Sequence, residues 1–216
     1  MINHIRQVTG KPVGFKTVVS SCGWLEELCA LINERGEESA PDFITLDGGD
    51  GGTGAAPMSL MDNVGLTLNE ALPAVENILI TYQLRQRIRL IASGKRINPS
   101  EAAWAFCAGA DVVTSARGFM FALGCIQALQ CNKNTCPTGI TTHNKDLQRG
   151  LDPSNKAIRV ANYHRNLVKE VTTIAHSCGV AGPRRLKRQH ARVVSYNGLS
   201  IPMVDLQPYP IANPAR

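Results

Sequence analysis

Three cysteines, Cys125, Cys131 and Cys136, fall at the spacing C-x5-C-x4-C, and Pro137, Thr138 and Gly139 follow at once. Thiolates are soft ligands that neutralise ferric charge, so iron–sulfur clusters are held mainly by cysteines close together in sequence. Three ligands rather than four suit a cluster that lacks one corner iron. The spacing matches neither the four-cysteine ferredoxin run nor the paired C-x2-C of a zinc ribbon. Structural thiols are the alternative, because free cysteine packs as a small hydrophobe, and spacing leaves both readings open. His143 and His164 belong to no metal-ligand pattern and are expected at the surface or as caps.

The second group of candidates is built from glycine. In the segment 46–57, Gly49, Gly51 and Gly54 literally satisfy the dinucleotide pattern G-x-G-x-x-G. That reading fails on Asp50, which would sit in the pyrophosphate cradle, and on Pro57, which interrupts the helix entry. Gly48, Gly49, Gly51, Gly52 and Gly54, with Thr53 among them, are better explained as backbone that a planar or anionic ligand can approach closely, a flexible turn being the alternative. Two further clusters, Ser93-Gly94-Lys95 and Ala116-Arg117-Gly118, follow apolar runs one βα unit apart, as does the paired phosphate site after the last two strands of many barrels. Lys16 stands alone in an otherwise apolar run. A lysine facing a barrel interior is costly unless it meets an anion or an electron-rich ring, so a ligand contact is favoured over an outward-facing edge position.

The elements that must position these residues are legible as four apolar or β-branched runs, 12–19, 43–46, 88–92 and 112–115. Each is followed by a Gly or Ser cluster and then a helical pattern, as parallel βα units require. Asn98, Pro99 and Glu101 predict a capped helix that stops at Gly109; Asp152 and Pro153 predict the start of a long final helix that ends near Gly179. Past Tyr196, prolines at 202, 208, 210 and 214 predict an extended tail. The expected organisation is a half-barrel over 1–150, a helical segment over 151–195 and a tail over 196–216. A (β/α)8 barrel takes about 250 residues and eight strands, so four units predict an α/β fold that is half of one, with two unpaired edges.

The chain has 216 residues, a net charge of +6 and seven cysteines. An odd cysteine count in a chain of this size points to free thiols or metal ligands rather than a disulfide framework. The positive charge is concentrated in 183–192, which lacks interleaved aromatics and is expected to be a solvated or intersubunit surface rather than a nucleic-acid site. With no membrane span and no signal-peptide pattern, a cytoplasmic location is expected.

Taken together, Lys11–Lys16, the segment 47–57, Ile91–Lys95, the run 110–125 ending at Cys125, then Cys131, Cys136–Gly139 and 152–156 resemble the FMN-binding glutamate synthase family. The resemblance extends from near the N-terminus to about Val194. It implies a (β/α)8 barrel of which this is the C-terminal half, with FMN and a 3Fe–4S cluster on Cys125, Cys131 and Cys136. By the same resemblance Lys16 would reach the flavin N1/O2 edge. Ser93, Gly94, Lys95, Ala116, Arg117 and Gly118 would hold its phosphate, and the glycine loop from Gly48 to Gly54, Thr53 included, would line the mouth. The implied reaction is reductive amination of 2-oxoglutarate through 2-iminoglutarate to glutamate, with electrons from a donor protein or ferredoxin. The family's N-terminal half-barrel would be a necessary partner, and the chain alone is expected to be inactive. Its opening, Met1-Ile2, lacks the N-terminal cysteine that glutamine-dependent synthases use to release ammonia. Two other readings stand beside this one: a phosphate-binding barrel enzyme in which Lys16 forms a Schiff base or a loop cysteine attacks substrate, and a non-enzymatic half-barrel fragment.

Overall fold

The computed structural model describes residues 1–51 and 59–211. A short helix α1 (Ile2–Thr9) precedes β1 (Phe15–Val18), α2 (Gly23–Arg35), β2 (Phe43–Asp47), α3 (Leu68–Thr81), β3 (Arg89–Ser93), α4 (Pro99–Cys107) and β4 (Val112–Thr114). Next come α5 (Arg117–Leu123), a turn-rich segment, α6 (Lys145–Gln148) and the long α7 (Pro153–Ser177). The hairpin strands β5 (Arg192–Val194) and β6 (Ser200–Pro202) and the helical turn α8 (Met203–Leu206) complete the order.

The four runs foreseen as strands pair in the order β1-β2-β3-β4, all parallel. This is an α/β fold with helices on one face of a parallel sheet. Ile44, Leu46, Leu90 and Ala92, alternating along the two central strands, are fully buried under α2, α3 and α4. α2 contributes Leu25, Cys29 and Ile32, and α3 contributes Leu68, Ala71, Leu72, Val75 and Leu79, each at the spacing that puts side chains on one helical stripe. The other face of the sheet is left uncovered by the described residues: Val18 and Val112 remain 46% and 39% exposed. Parallel sheets are normally buried on both faces, so this second face is a surface built to be covered.

The caps form as the residue types dictate. Asn98 accepts a hydrogen bond from the Glu101 N–H (2.9 Å) while Glu101 accepts from the Asn98 and Ile97 N–H groups (3.2 and 2.8 Å). The Asp152 carboxylate accepts from Ser154 N–H (3.0 Å) at the head of α7, whose Val171 and Ala175 join the core. α7 therefore packs as part of the main core, against α4 and α5.

Two expectations need correction. The segment past Tyr196 is not a free extended tail: it forms one strand of a hairpin and a helical turn, and Met203 is fully buried. The basic run 183–192 is not wholly a solvated surface either. Arg188 is fully buried, with Nη1 donating to the carbonyls of Gln207 (2.7 Å) and Pro208 (3.3 Å) and Nη2 to the Pro73 carbonyl (3.1 Å) and the Glu76 carboxylate (2.7 Å). Its guanidinium also lies 4.4 Å from the centre of the Tyr209 ring. A buried guanidinium is tolerated where carbonyls and a carboxylate replace water, and these acceptors fasten the tail to α3.

Candidate functional site

The register of the sheet gathers the candidates. Val18, Asp47, Ser93 and Thr114 are Cα partners in a single row across the C-terminal ends of the strands, and Lys16 lies two residues back on the same face as Asp47. Lys16 forms an ion pair with Asp47, a residue that sequence reasoning did not single out as a partner. Its side chain stays 58% exposed on the uncovered face of the sheet. The lysine foreseen as needing an anion thus has one in the protein and remains open to a ligand.

The loop after β2 is stitched across the neighbouring strand ends. Gly48 N–H donates to the Ser93 carbonyl (3.1 Å), Gly49 N–H to the Leu66 carbonyl (2.7 Å), and Gly49 O accepts from Asp62 N–H (3.0 Å). Gly48, Gly49 and Gly51 are in this frame; Gly52, Thr53 and Gly54 lie outside the described residues. Asp50 faces Lys95 at 3.9 Å, and its other carboxylate oxygen is buried without a hydrogen-bond partner among the described residues. A second carboxylate, Asp62, takes Lys95 at 3.2 Å.

At the end of β3 the backbone turns through two consecutive positive φ values, 130° at Gly94 and 45° at Lys95. Glycine adopts the first freely, and a Cβ there would come within 3.1 Å of the Gly48 nitrogen. The lysine has no such freedom, and left-handed backbone at a residue with a side chain is a form of strain concentrated at functional sites. Arg96 holds this turn in place. It is buried, its Nε donates to the Gly94 carbonyl (2.9 Å), its Nη2 to Asn69 on α3 (2.9 Å), and its guanidinium lies 5.2 Å from the Trp104 ring on α4. Burial pushes the Arg96 guanidinium below its usual range, against the pull of Glu101 and Asp50. Sequence reasoning stopped one residue short of Arg96, since a cation next to Lys95 reads as surface until its neighbours are known.

The second foreseen cluster sits at the end of β4. Gly118 is buried in the first turn of α5, where a Cβ would collide with the hydroxyl of Tyr163 from α7. That hydroxyl donates to the Ile97 carbonyl (2.6 Å) and lies 3.3 Å from Ser115 Oγ, so one tyrosine ties the loops after β3 and β4 together. The loop that carries Ser93, Gly94 and Lys95 and the loop that carries Ala116, Arg117 and Gly118 thus share a strut, fastened at Ile97 and Ser115. Of the two histidines left aside, His143 is exposed and His164 is exposed beside Phe119, at 6.1 Å between ring centres.

Cys125 and Cys131 line one small cavity of about 40 Å³ together with Arg117, Met120, Phe121, Gln127 and Leu129. Cys136 is buried elsewhere in the same loop: among the described residues no three His, Cys, Asp or Glu side chains converge on one point. Burial would raise the Cys136 thiol, but the Thr138 hydroxyl at 3.4 Å and the N–H groups of Thr141 and Thr138 outweigh it and bring it down to about 6. The donor chemistry, three free thiols with one held towards thiolate, suits a thiophilic iron centre. The other cysteines differ in kind: Cys29 and Cys107 are buried, with burial the leading cause of thiols raised to about 12, and Cys22 and Cys178 pack against the core.

Comparison with known proteins bears on all of these features together. The family model described as "Conserved region in glutamate synthase" matches residues 1–181. The "Glutamate synthase large subunit-like protein YerD" of Bacillus subtilis is 42% identical over 189 residues, 88% of this chain and 36% of the relative. An "Archaeal glutamate synthase [NADPH]" of Methanocaldococcus jannaschii is 34% identical over 72% of this chain and 30% of its own length. An "Archaeal-type glutamate synthase [NADPH]" of Thermotoga neapolitana is 30% identical over 96% of this chain and 41% of its own length. The chain thus spans well under half the length of the curated relatives it matches. A match running from α1 through the strand ends and the cysteine loop to the end of α7 places this chain in the glutamate synthase family.

Proposed function

We propose that this chain is the C-terminal half of a (β/α)8 barrel in a glutamate synthase-type oxidoreductase that aminates 2-oxoglutarate through 2-iminoglutarate. The observation that carries the reading is the row of strand ends: Asp47, Ser93 and Thr114 in register, with Lys16 on the same face and the glycine loop bonded across them. In α/β folds of parallel strands, ligands bind at this end. The uncovered second face of the sheet, and relatives more than twice as long, support an N-terminal half-barrel as the covering partner.

When bound, FMN supplies hydride transfer and an iron–sulfur cluster supplies single electrons. The backbone amides of Gly94 and Gly118, with Ser93, Lys95, Ala116 and the Arg117 guanidinium, would hold the flavin's phosphate by charge-assisted hydrogen bonds. Lys16 would set its positive charge against the electron-rich edge of the ring, with Asp47 fixing the ammonium in place. Gly48, Gly49 and Gly51, and in continuation Gly52, Thr53 and Gly54, would line the mouth, the glycines leaving no Cβ in the way. Cys125, Cys131 and Cys136 would be the thiolate ligands of a 3Fe–4S cluster, Cys136 being already drawn towards its charged form. The electron source is proposed to be a donor protein or ferredoxin, as in the "Ferredoxin-dependent glutamate synthase" of Pyropia yezoensis, or NADPH as in the names of the archaeal-type relatives. No helix of the described residues is long and apolar enough to cross a membrane, and a cytoplasmic location is part of the proposal.

The test is the visible spectrum of the protein with an N-terminal half-barrel supplied in fusion or in trans. Flavin and iron–sulfur absorption are expected, and a colourless protein overturns the cofactor reading. A Cys131→Ser protein that keeps its full iron content removes the ligand assignment while leaving the flavin site standing.

A further inference from the structure

At the end of the sheet opposite the strand-end site lies a groove of about 620 Å³. Its floor carries two carboxylates that are already engaged. Asp111 is ion-paired with Arg85 Nη1 (3.0 Å) and accepts from Arg89 Nη1 (3.4 Å) and the Leu90 N–H (2.8 Å), and Glu76 is held by Arg188 Nη2 (2.7 Å). The rim carries cations that are mostly unspent. Among the described residues Arg184 uses only Nε, on the Asp111 carbonyl (3.1 Å), Arg89 uses only Nη1, and the Lys187 ammonium makes no ion pair. All three are exposed.

Two rings, Phe106 and Tyr209, stand in the same lining. Tyr209 is 36% exposed and is fixed in place by the Arg188 guanidinium beneath it and by its hydroxyl, which accepts from Arg188 N–H (3.4 Å). A preorganised ring beside three guanidinium or ammonium groups matches a ligand with a flat face and several negative oxygens. The volume suits a molecule of that size rather than a bare anion.

We propose that this groove binds a nucleotide, with its phosphates on Arg89, Arg184 and Lys187 and its base against Tyr209 and Phe106. The site shares no residue with the strand-end cluster. Its test is equilibrium dialysis of the purified chain against ATP, inorganic pyrophosphate and adenosine. One saturable site for ATP is expected, with pyrophosphate and adenosine each binding more weakly. The double substitution Arg184→Ala/Lys187→Ala should weaken ATP by about tenfold or more, the scale of a lost charge-assisted contact. Arg117→Ala, at the other end of the sheet, should leave ATP binding unchanged. Both rim side chains are exposed, so the double variant should melt like the parent, and a Tyr209→Leu protein should lose ATP affinity while keeping that for pyrophosphate. Absence of saturable ATP binding, survival of that binding in the double variant, or its loss in Arg117→Ala overturns the site. Equal affinity for pyrophosphate and ATP overturns the role of the rings.

Discussion

The two ends of the parallel sheet use the same side chains in opposite ways. At the N-terminal end Arg85 donates to the Gly109 and Ile88 carbonyls and pairs with Asp111, and Arg188 donates to three carbonyls and Glu76. Those charges are buried and their terminal nitrogens are met by the protein, although the Nε of each is buried without a hydrogen-bond partner among the described residues. At the C-terminal end Lys16 and Lys95 stay 58% and 35% exposed, one oxygen of Asp50 is buried without a partner among the described residues, and the chain is held left-handed at Lys95. The two ends differ in exposure and backbone: the arginines of one end are buried among carbonyls and carboxylates, whereas the lysines of the other stay open to solvent beside a left-handed, glycine-lined turn.

The largest expected effect tests the framework end. Arg188→Leu leaves Glu76 buried with Arg85 as its one remaining cation among the described residues, and should destabilise the fold by about 3–5 kcal/mol, measured from the chemical denaturation midpoint. Burial already raises the Glu76 carboxyl despite Arg188 and Arg85, so a double variant Arg188→Leu/Glu76→Leu should recover much of that loss. A single variant as stable as the parent would erase the contrast between the two ends.

On the proposed function, Arg117→Ala examines the site end, in the chain supplied with an N-terminal half-barrel. It should weaken FMN binding by about 1.5–3 kcal/mol in a flavin fluorescence titration, with a much smaller change in melting temperature. A stability loss equal to that of Arg188→Leu would make Arg117 framework instead.

The smallest effect sharpens the comparison by pH. Asp42 accepts from Val13 N–H (2.7 Å), Arg6 (3.0 Å) and Arg87 (3.0 Å), which outweigh the upward push of burial and hold its carboxyl below 3.8. Its contribution is therefore present above that value and lost as pH falls through the lower folded-state one. Asp42→Asn should cost about 1–2 kcal/mol at neutral pH, because the group is partly solvated, and the gap from the parent should close in acid. A gap independent of pH would assign the loss to packing.

Sequence by itself determined the strands and the caps. Alternating apolar residues, Asn98 with Glu101, Asp152 with Pro153, and glycines at the ends of apolar runs are local signals, each acting within a few residues. Only the tertiary structure decided which charges were spent. Asp47 became the partner of Lys16 through parallel register, Arg96 became the brace of the Gly94 turn through Asn69 and Trp104, and Arg188 left an apparently solvated run to clamp α3 to the tail. The tail folded back where its prolines predicted extension, because Met203 and the Arg188 acceptors gave it a core to join. Charge type is written in the residue, whereas the acceptors that neutralise it are set by residues distant in the chain, 112 positions apart for Arg188 and Glu76.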